Sequence, residues 1–157
     1  MSAAPELAVR RAAGADAVAL GRLLHDFNVE YDDPSPGPDA LARRMGELLQ
    51  DGDTAALIGG AGPDGLAVLR FRRSIWTPGL ECYLAELYVV PQRRGRGLGR
   101  ALMHAAIELA RERGADYMDL GTGEDDVAAR GLYESLGFSM SEGRADGPRN
   151  LYYEREL

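Results

Sequence analysis

The chain has 157 residues, 45% of them hydrophobic and 27% charged, with a net charge of −7. That length suits one globular core and not two ordinary ones, so a single domain over residues 1–157 is expected. The acidic balance argues against duplex nucleic acid as a partner, and no apolar run approaches the roughly 20 residues that cross a bilayer.

The opening residues 1–6 lack the basic and apolar regions of a secretory leader, and Cys82 has no second cysteine to pair with. The expected compartment is the cytoplasm. A short strand over residues 7–10 precedes Asp16, the expected N-cap of a helix with Ala17, Leu20, Leu24, Phe27 and Tyr31 on one face. The proline-rich residues 32–38 end that helix, and Pro38 starts a second through Leu41, Met45, Leu48 and Leu49.

Residues 54–58 and 66–72 read as strands joined by a glycine-rich turn, and another turn at Pro78-Gly79 leads to a central strand over 82–90. Leu98, Ala101, Leu102, Ala105 and Leu109 follow helical spacing up to Gly114. A strand at 117–120, a helix at 125–136 closed by Gly137 and a last strand at 151–156 complete the order. The fold class is therefore α+β: a mixed, mostly antiparallel central sheet with one right-handed parallel β-α-β crossover and flanking helices. Leu151, Tyr152 and Tyr153 would leave an apolar strand available to a second copy, which would permit a homodimer.

Where the central strand meets the long helix, the chain reads Pro91-Gln92-Arg93-Arg94-Gly95-Arg96-Gly97-Leu98-Gly99-Arg100. Three glycines leave amides unshielded, and the helix start adds unpaired donors and the positive end of its dipole. Four arginines lie within residues 93–100 of an acidic chain, which suits an anion site such as a pyrophosphate. The dinucleotide fingerprint fails because its sixth position, counted from Gly95, is Arg100, and no Gly-Lys-Ser or Gly-Lys-Thr appears.

The pattern Gln92-x-x-Gly95-x-Gly97 after an apolar strand resembles the acetyl-coenzyme A signature of the GNAT acetyltransferase superfamily. A second segment, Ala129-x-x-Leu132-Tyr133-x-x-x-Gly137-Phe138, is similar to the helix and turn that close that family's cofactor site. The resemblance is strongest over residues 83–138; residues 1–79 match only in the order of elements.

The resemblance implies acetyl-coenzyme A as acyl donor, its pantetheine arm along the backbone of Leu87, Tyr88 and Val89. The main chain of Arg94, Gly95, Arg96, Gly97, Leu98, Gly99 and Arg100, after Gln92, would hold the pyrophosphate. It also implies direct attack by a primary amine, either a small molecule or a protein amino group, with an oxyanion met by the N–H of Tyr88 or Val89. Tyr133 falls at the family's general acid.

An ammonium must lose a proton before attack, and Glu86 is the first candidate base, with water or a second residue as alternatives. Strand alternation places it with Leu84 and Tyr88, where burial would raise its pKa. Asp126 replaces the asparagine the family often has against the cofactor arm; a helix-capping role is the favoured reading. His25 and His104 lack partners at ligand spacing, so no metal is expected. Asp26, Glu30, Tyr31, Asp32 and Asp33 read first as a solvated helix end and alternatively as the wall of a pocket for a cationic acceptor. A non-catalytic acyl-coenzyme A sensor is the alternative function, motivated by Asp126 and the open question of the base.

Overall fold

The computed structural model describes residues 4–157; the first three residues of the stretch read for a leader lie outside them. The chain divides into two compact units, one ending at Met118 and the other Asp119–Leu157.

The first unit carries β1 (Val9–Arg11), α1 (Ala17–Glu30), α2 (Pro38–Leu48), β2 (Thr54–Gly59), β3 (Gly65–Arg73), β4 (Leu80–Val89) and α3 (Leu98–Glu112), and β5 (Ala115–Leu120) runs across the boundary. The sheet order is β1-β2-β3-β4-β5, and the first four strands pair antiparallel in sequence. Leu80 N–H donates to Gly114 C=O at 3.1 Å, so β4 and β5 start side by side with α3 as the crossover between them. The mixed sheet expected from the order of elements is present.

Pro38 occupies the first turn of α2, where its missing N–H costs nothing. Helices α1 and α2 approach closely at Gly21: a Cβ there would lie 2.5 Å from Pro38 O and 2.6 Å from Ala42 N. On that side of the sheet Leu20, Leu23 and Met45 pack with Ala56, Ile58, Leu66, Val68 and Tyr88, and Phe27 and Ala85 add to the cluster. On the other side Leu102 approaches Gly59 and Gly65, and Leu98 approaches Gly59. Each fully buried leucine is worth about 1.5–3 kcal/mol, so the two layers hold the sheet from both faces.

The register of β3 against β4 breaks once. Val68 stands opposite Glu86 and the next residue, Leu69, opposite Leu84, leaving Ala85 as the extra residue of a β-bulge. Directly opposed residues share a face and successive residues of β3 do not. Glu86 therefore lies on the α1/α2 face with Val68 and Tyr88, while Leu84 lies on the face of α3. This corrects the simple alternation that put Glu86 with Leu84; only its grouping with Tyr88 holds.

The second unit contains α4 (Val127–Ser135) and an isolated bridge between Ser141 and Arg149. Residues 151–156 form no strand: Leu151, Tyr152 and Tyr153 are 71%, 72% and 85% exposed. Strand propensity needs a partner ladder to be realised, and among the described residues this segment has none. Among the described residues no helix is long and apolar enough to cross a membrane.

Candidate active site

The turn between β4 and α3 supplies the first part of the site. After the 3-10 turn Pro91–Arg93, which holds the exposed Gln92, Arg94 N–H donates to Pro91 C=O at 3.3 Å. The first rung of the α3 ladder is Ala101 N–H to Gly97 C=O at 3.0 Å. Between these two bonds the amides of Gly95, Arg96, Gly97, Leu98 and Gly99 make no hydrogen bond to any of the described residues. Gly95 and Gly97 have φ of +73° and +94°, and a Cβ at either would meet nothing within 4 Å. Glycine is needed here for backbone conformation, and the space in front of it is open. Unbonded donors ahead of a helix N-terminus have the chemistry to hold an anion, and the Arg94 amide, spent on Pro91, is not among them.

The arginines divide differently from their common appearance in the sequence. Arg93 lies 3.8 Å from Glu6 and 3.9 Å from Asp64, and Arg94 is bidentate to Glu30 at 2.7 and 2.8 Å. The positive charge expected of this loop is thus partly neutralised by acids distant in sequence.

The edge of β4 supplies the second part. Val90 N–H donates to Asp64 C=O at 2.8 Å, and such bonds recur at every second residue of an antiparallel ladder. Glu86 and Tyr88 therefore turn their main-chain groups toward β3, while Leu87 and Val89 turn theirs away. Arg94 Nε donates to Val89 C=O at 2.9 Å on that outward side.

Above the α1/α2 face, Tyr88 stacks on Phe27 at 4.9 Å and donates its hydroxyl to Glu30 at 3.1 Å. Burial, followed by the hydrogen bond to Glu30, pushes the Tyr88 phenol up to about 12. Glu86 sits on the same face: burial first, and the Asp33 carboxylate second, raise its carboxyl above the ordinary value. The loop bearing Asp33 is fastened to the end of α1, with Asp33 N–H on Asn28 C=O at 2.9 Å, Asn28 Nδ2 on Pro34 C=O at 2.7 Å, and His25 Nδ1 within 2.8 Å of Ser35 Oγ. Of the acids flagged near this helix end, Glu30 is paired with Arg94 and Asp26 lies 3.9 Å from Arg22, whereas Asp33 repels Glu86.

In the second unit Tyr133 is buried, 8% exposed, with its ring 6.0 Å from that of Phe138. Burial and then the Asp126 carboxylate push its phenol up to about 12, so it keeps its proton at neutral pH. Asp126 is the N-cap of α4, accepting from Ala129 N–H at 3.1 Å. That geometry agrees with the capping reading.

The sequence pattern described as the Acetyltransferase (GNAT) family matches residues 22–138. The chain belongs to the GNAT family. A structure from Arthrobacter sp. FB24, to which acetyltransferase activity is ascribed, is 44% identical, covers 100% of both chains and superposes with a TM-score of 0.89. Streptothricin acetyltransferase of Streptomyces lavendulae is 32% identical over 115 residues, 73% of this chain and 54% of that protein. Mycothiol acetyltransferase of Beutenbergia cavernae is 39% identical over 69 residues, 42% of this chain and 23% of that protein. The chain thus spans about half the length of the first relative and under a quarter of the second. Within this GNAT chain, Glu30 is the site neighbour whose partner no local signal announced, because Arg94 lies 64 residues away.

Proposed function

We propose that this chain is an acetyl-coenzyme A-dependent N-acetyltransferase that acts on a primary amine by direct attack in a ternary complex. The observation that carries the reading is the run of unbonded amides from Gly95 to Gly99, opening beside a β4 edge whose Leu87 and Val89 main chain faces away from β3. Acetyl-coenzyme A would supply an acetyl group already activated as a thioester.

Gly95 to Gly99 would bind the diphosphate through their N–H groups and the dipole of α3. Leu87 and Val89 would align the pantetheine arm as an added strand does. Between Tyr88 and Val89, the ladder's parity favours Val89 as donor to the oxygen where negative charge develops, because the Tyr88 N–H turns into the sheet.

Glu86 would accept the proton of the incoming ammonium. Its raised pKa brings a carboxylate closer to neutrality, where a base works best. Asp33 and Glu86, both acidic and facing the same region, favour a cationic acceptor. Tyr133, held protonated by burial, would return a proton to the departing thiolate. The relatives' names give different acceptors, streptothricin and mycothiol, so family membership leaves the amine open.

The test is twofold. Coenzyme A should raise the melting temperature, since a ligand of the folded state stabilises it, and acetyl-coenzyme A with a panel of amines should release free thiol. No thermal shift would sink the cofactor assignment. A shift without thiol release from any amine would favour the sensor reading.

A further inference from the structure

Arg94 sits at the start of the turn proposed to hold the diphosphate, yet each end of its guanidinium is engaged elsewhere. Nη1 and Nη2 grip the two oxygens of Glu30 at 2.7 and 2.8 Å, and Nε holds the Val89 carbonyl at 2.9 Å. Its Cζ lies 5.5 Å from the centre of the Tyr88 ring, whose hydroxyl donates to the same Glu30 oxygen at 3.1 Å. Phe27 stacks on Tyr88 at 4.9 Å. One side chain therefore ties the last residue of α1, the last residue of β4 and the start of the turn into a single polar cluster.

We infer that Arg94 is a positioning residue, which Glu30 holds at the end of β4 so that the Val89 main chain keeps one orientation, and that its charge serves this clamp and not the bound anion. At the outward edge a carbonyl normally needs a neighbouring strand or water. Arg94 Nε fills that place, and the planar fork with its three directed bonds fixes the strand end more firmly than one ammonium could. An anion competing for Arg94 would have to displace a bidentate carboxylate, while five unbonded amides lie within the following residues. The inference rests on the proposed function for its catalytic meaning, but the clamp itself can be read without turnover.

The full chain and its Glu30→Gln, Arg94→Gln and Arg94→Lys variants should be compared by three measurements. Amide hydrogen exchange over residues 86–90 should speed up in Glu30→Gln and Arg94→Gln alike, because either change opens the cluster. Coenzyme A affinity should stay within about threefold of wild type, while turnover at saturating acetyl-coenzyme A falls about tenfold or more, a split expected when orientation and not binding is lost. The double variant Glu30→Gln/Arg94→Gln should be no worse than either single one, since the two residues act as a unit.

Unchanged exchange at residues 86–90 in correctly folded variants overturns the inference. So does a loss of coenzyme A affinity in Arg94→Gln that spares Glu30→Gln and is absent for phosphate-free pantetheine, because Arg94 would then be a phosphate ligand. Full turnover in Arg94→Lys also overturns it, a lysine having no fork. Glu30→Gln preserves side-chain shape and keeps the test available if Arg94 variants fail to fold. Wild-type protein that ignores coenzyme A would instead sink the proposed function, while the exchange result still decides the clamp.

Discussion

Burial lifts the Glu86 carboxyl in the middle of β4 above the usual carboxylate range, and Asp33, in the loop after α1, lifts it further. The two acids are far apart in sequence and meet because that loop is fastened back onto the end of α1. If Glu86 is the base, the rate rises with pH through its raised pKa. Asp33→Asn removes the repulsion, so the acidic limb of the pH–kcat/KM profile should move to lower pH. A limb that stays in place would remove Glu86, or its coupling to Asp33, from the mechanism.

Tyr133→Phe keeps the ring against Phe138 and removes only the hydroxyl. If Tyr133 is the general acid, this change should lower kcat by about a hundredfold or more, with coenzyme A affinity nearly intact. Asp126→Asn should lower the Tyr133 phenol pKa, because the Asp126 charge is one cause of its elevation. Spectrophotometric titration of the phenol, with Tyr133→Phe as the blank, reads that shift directly.

Gly97→Ala meets no steric obstacle but forces an L residue to hold φ of +94°, at a cost of about 1–2 kcal/mol. We expect coenzyme A affinity to fall more than in Arg96→Ala, because the amides and not that side chain would carry the diphosphate. Calorimetry with coenzyme A separates the two. A larger loss from Arg96→Ala would argue for a side-chain site.

Gly21→Ala tests the contact of α1 with α2. Alanine gains about 1 kcal/mol in helix propensity, but its Cβ would lie 2.5 and 2.6 Å from main-chain atoms of Pro38 and Ala42. Both obstacles are backbone and cannot rotate away, so overpacking at about 1–3 kcal/mol outweighs the gain. The melting temperature should drop by several degrees.

Asp16 provides a pH-dependent stability test away from the site. The Arg10 guanidinium first, and the Ala13 N–H second, hold its carboxyl down at about 2. The stabilisation is fully present above the unfolded value of about 4 and is lost as pH falls toward the folded one. Melting curves of wild type and Asp16→Asn should therefore differ at pH 6 and converge between about pH 4 and 2.

The glycine turn at 95–99, the helix after it and the order of elements through Tyr133 were legible because each is written in neighbouring residues: a positive-φ glycine, a 3.6-residue apolar stripe, a cap. The helix stripes were read with small rotations, Leu23 and Ala106 being buried where Ala17 and Ala105 were expected. Nothing local marked the bulge at Ala85, since alanine is compatible with either pairing and the extra residue exists only relative to β3. That single offset puts Glu86 and Leu84 on opposite faces.

The sequence by itself therefore determined the glycine turn with its left-handed backbone and the family pattern the chain follows. Only the tertiary structure decided that Arg94 answers to Glu30, that Asp33 faces Glu86, and that residues 151–156 stay out of a ladder. Those outcomes depend on partners dozens of residues away, and charge pairing or strand formation has no energy until the partner is in place.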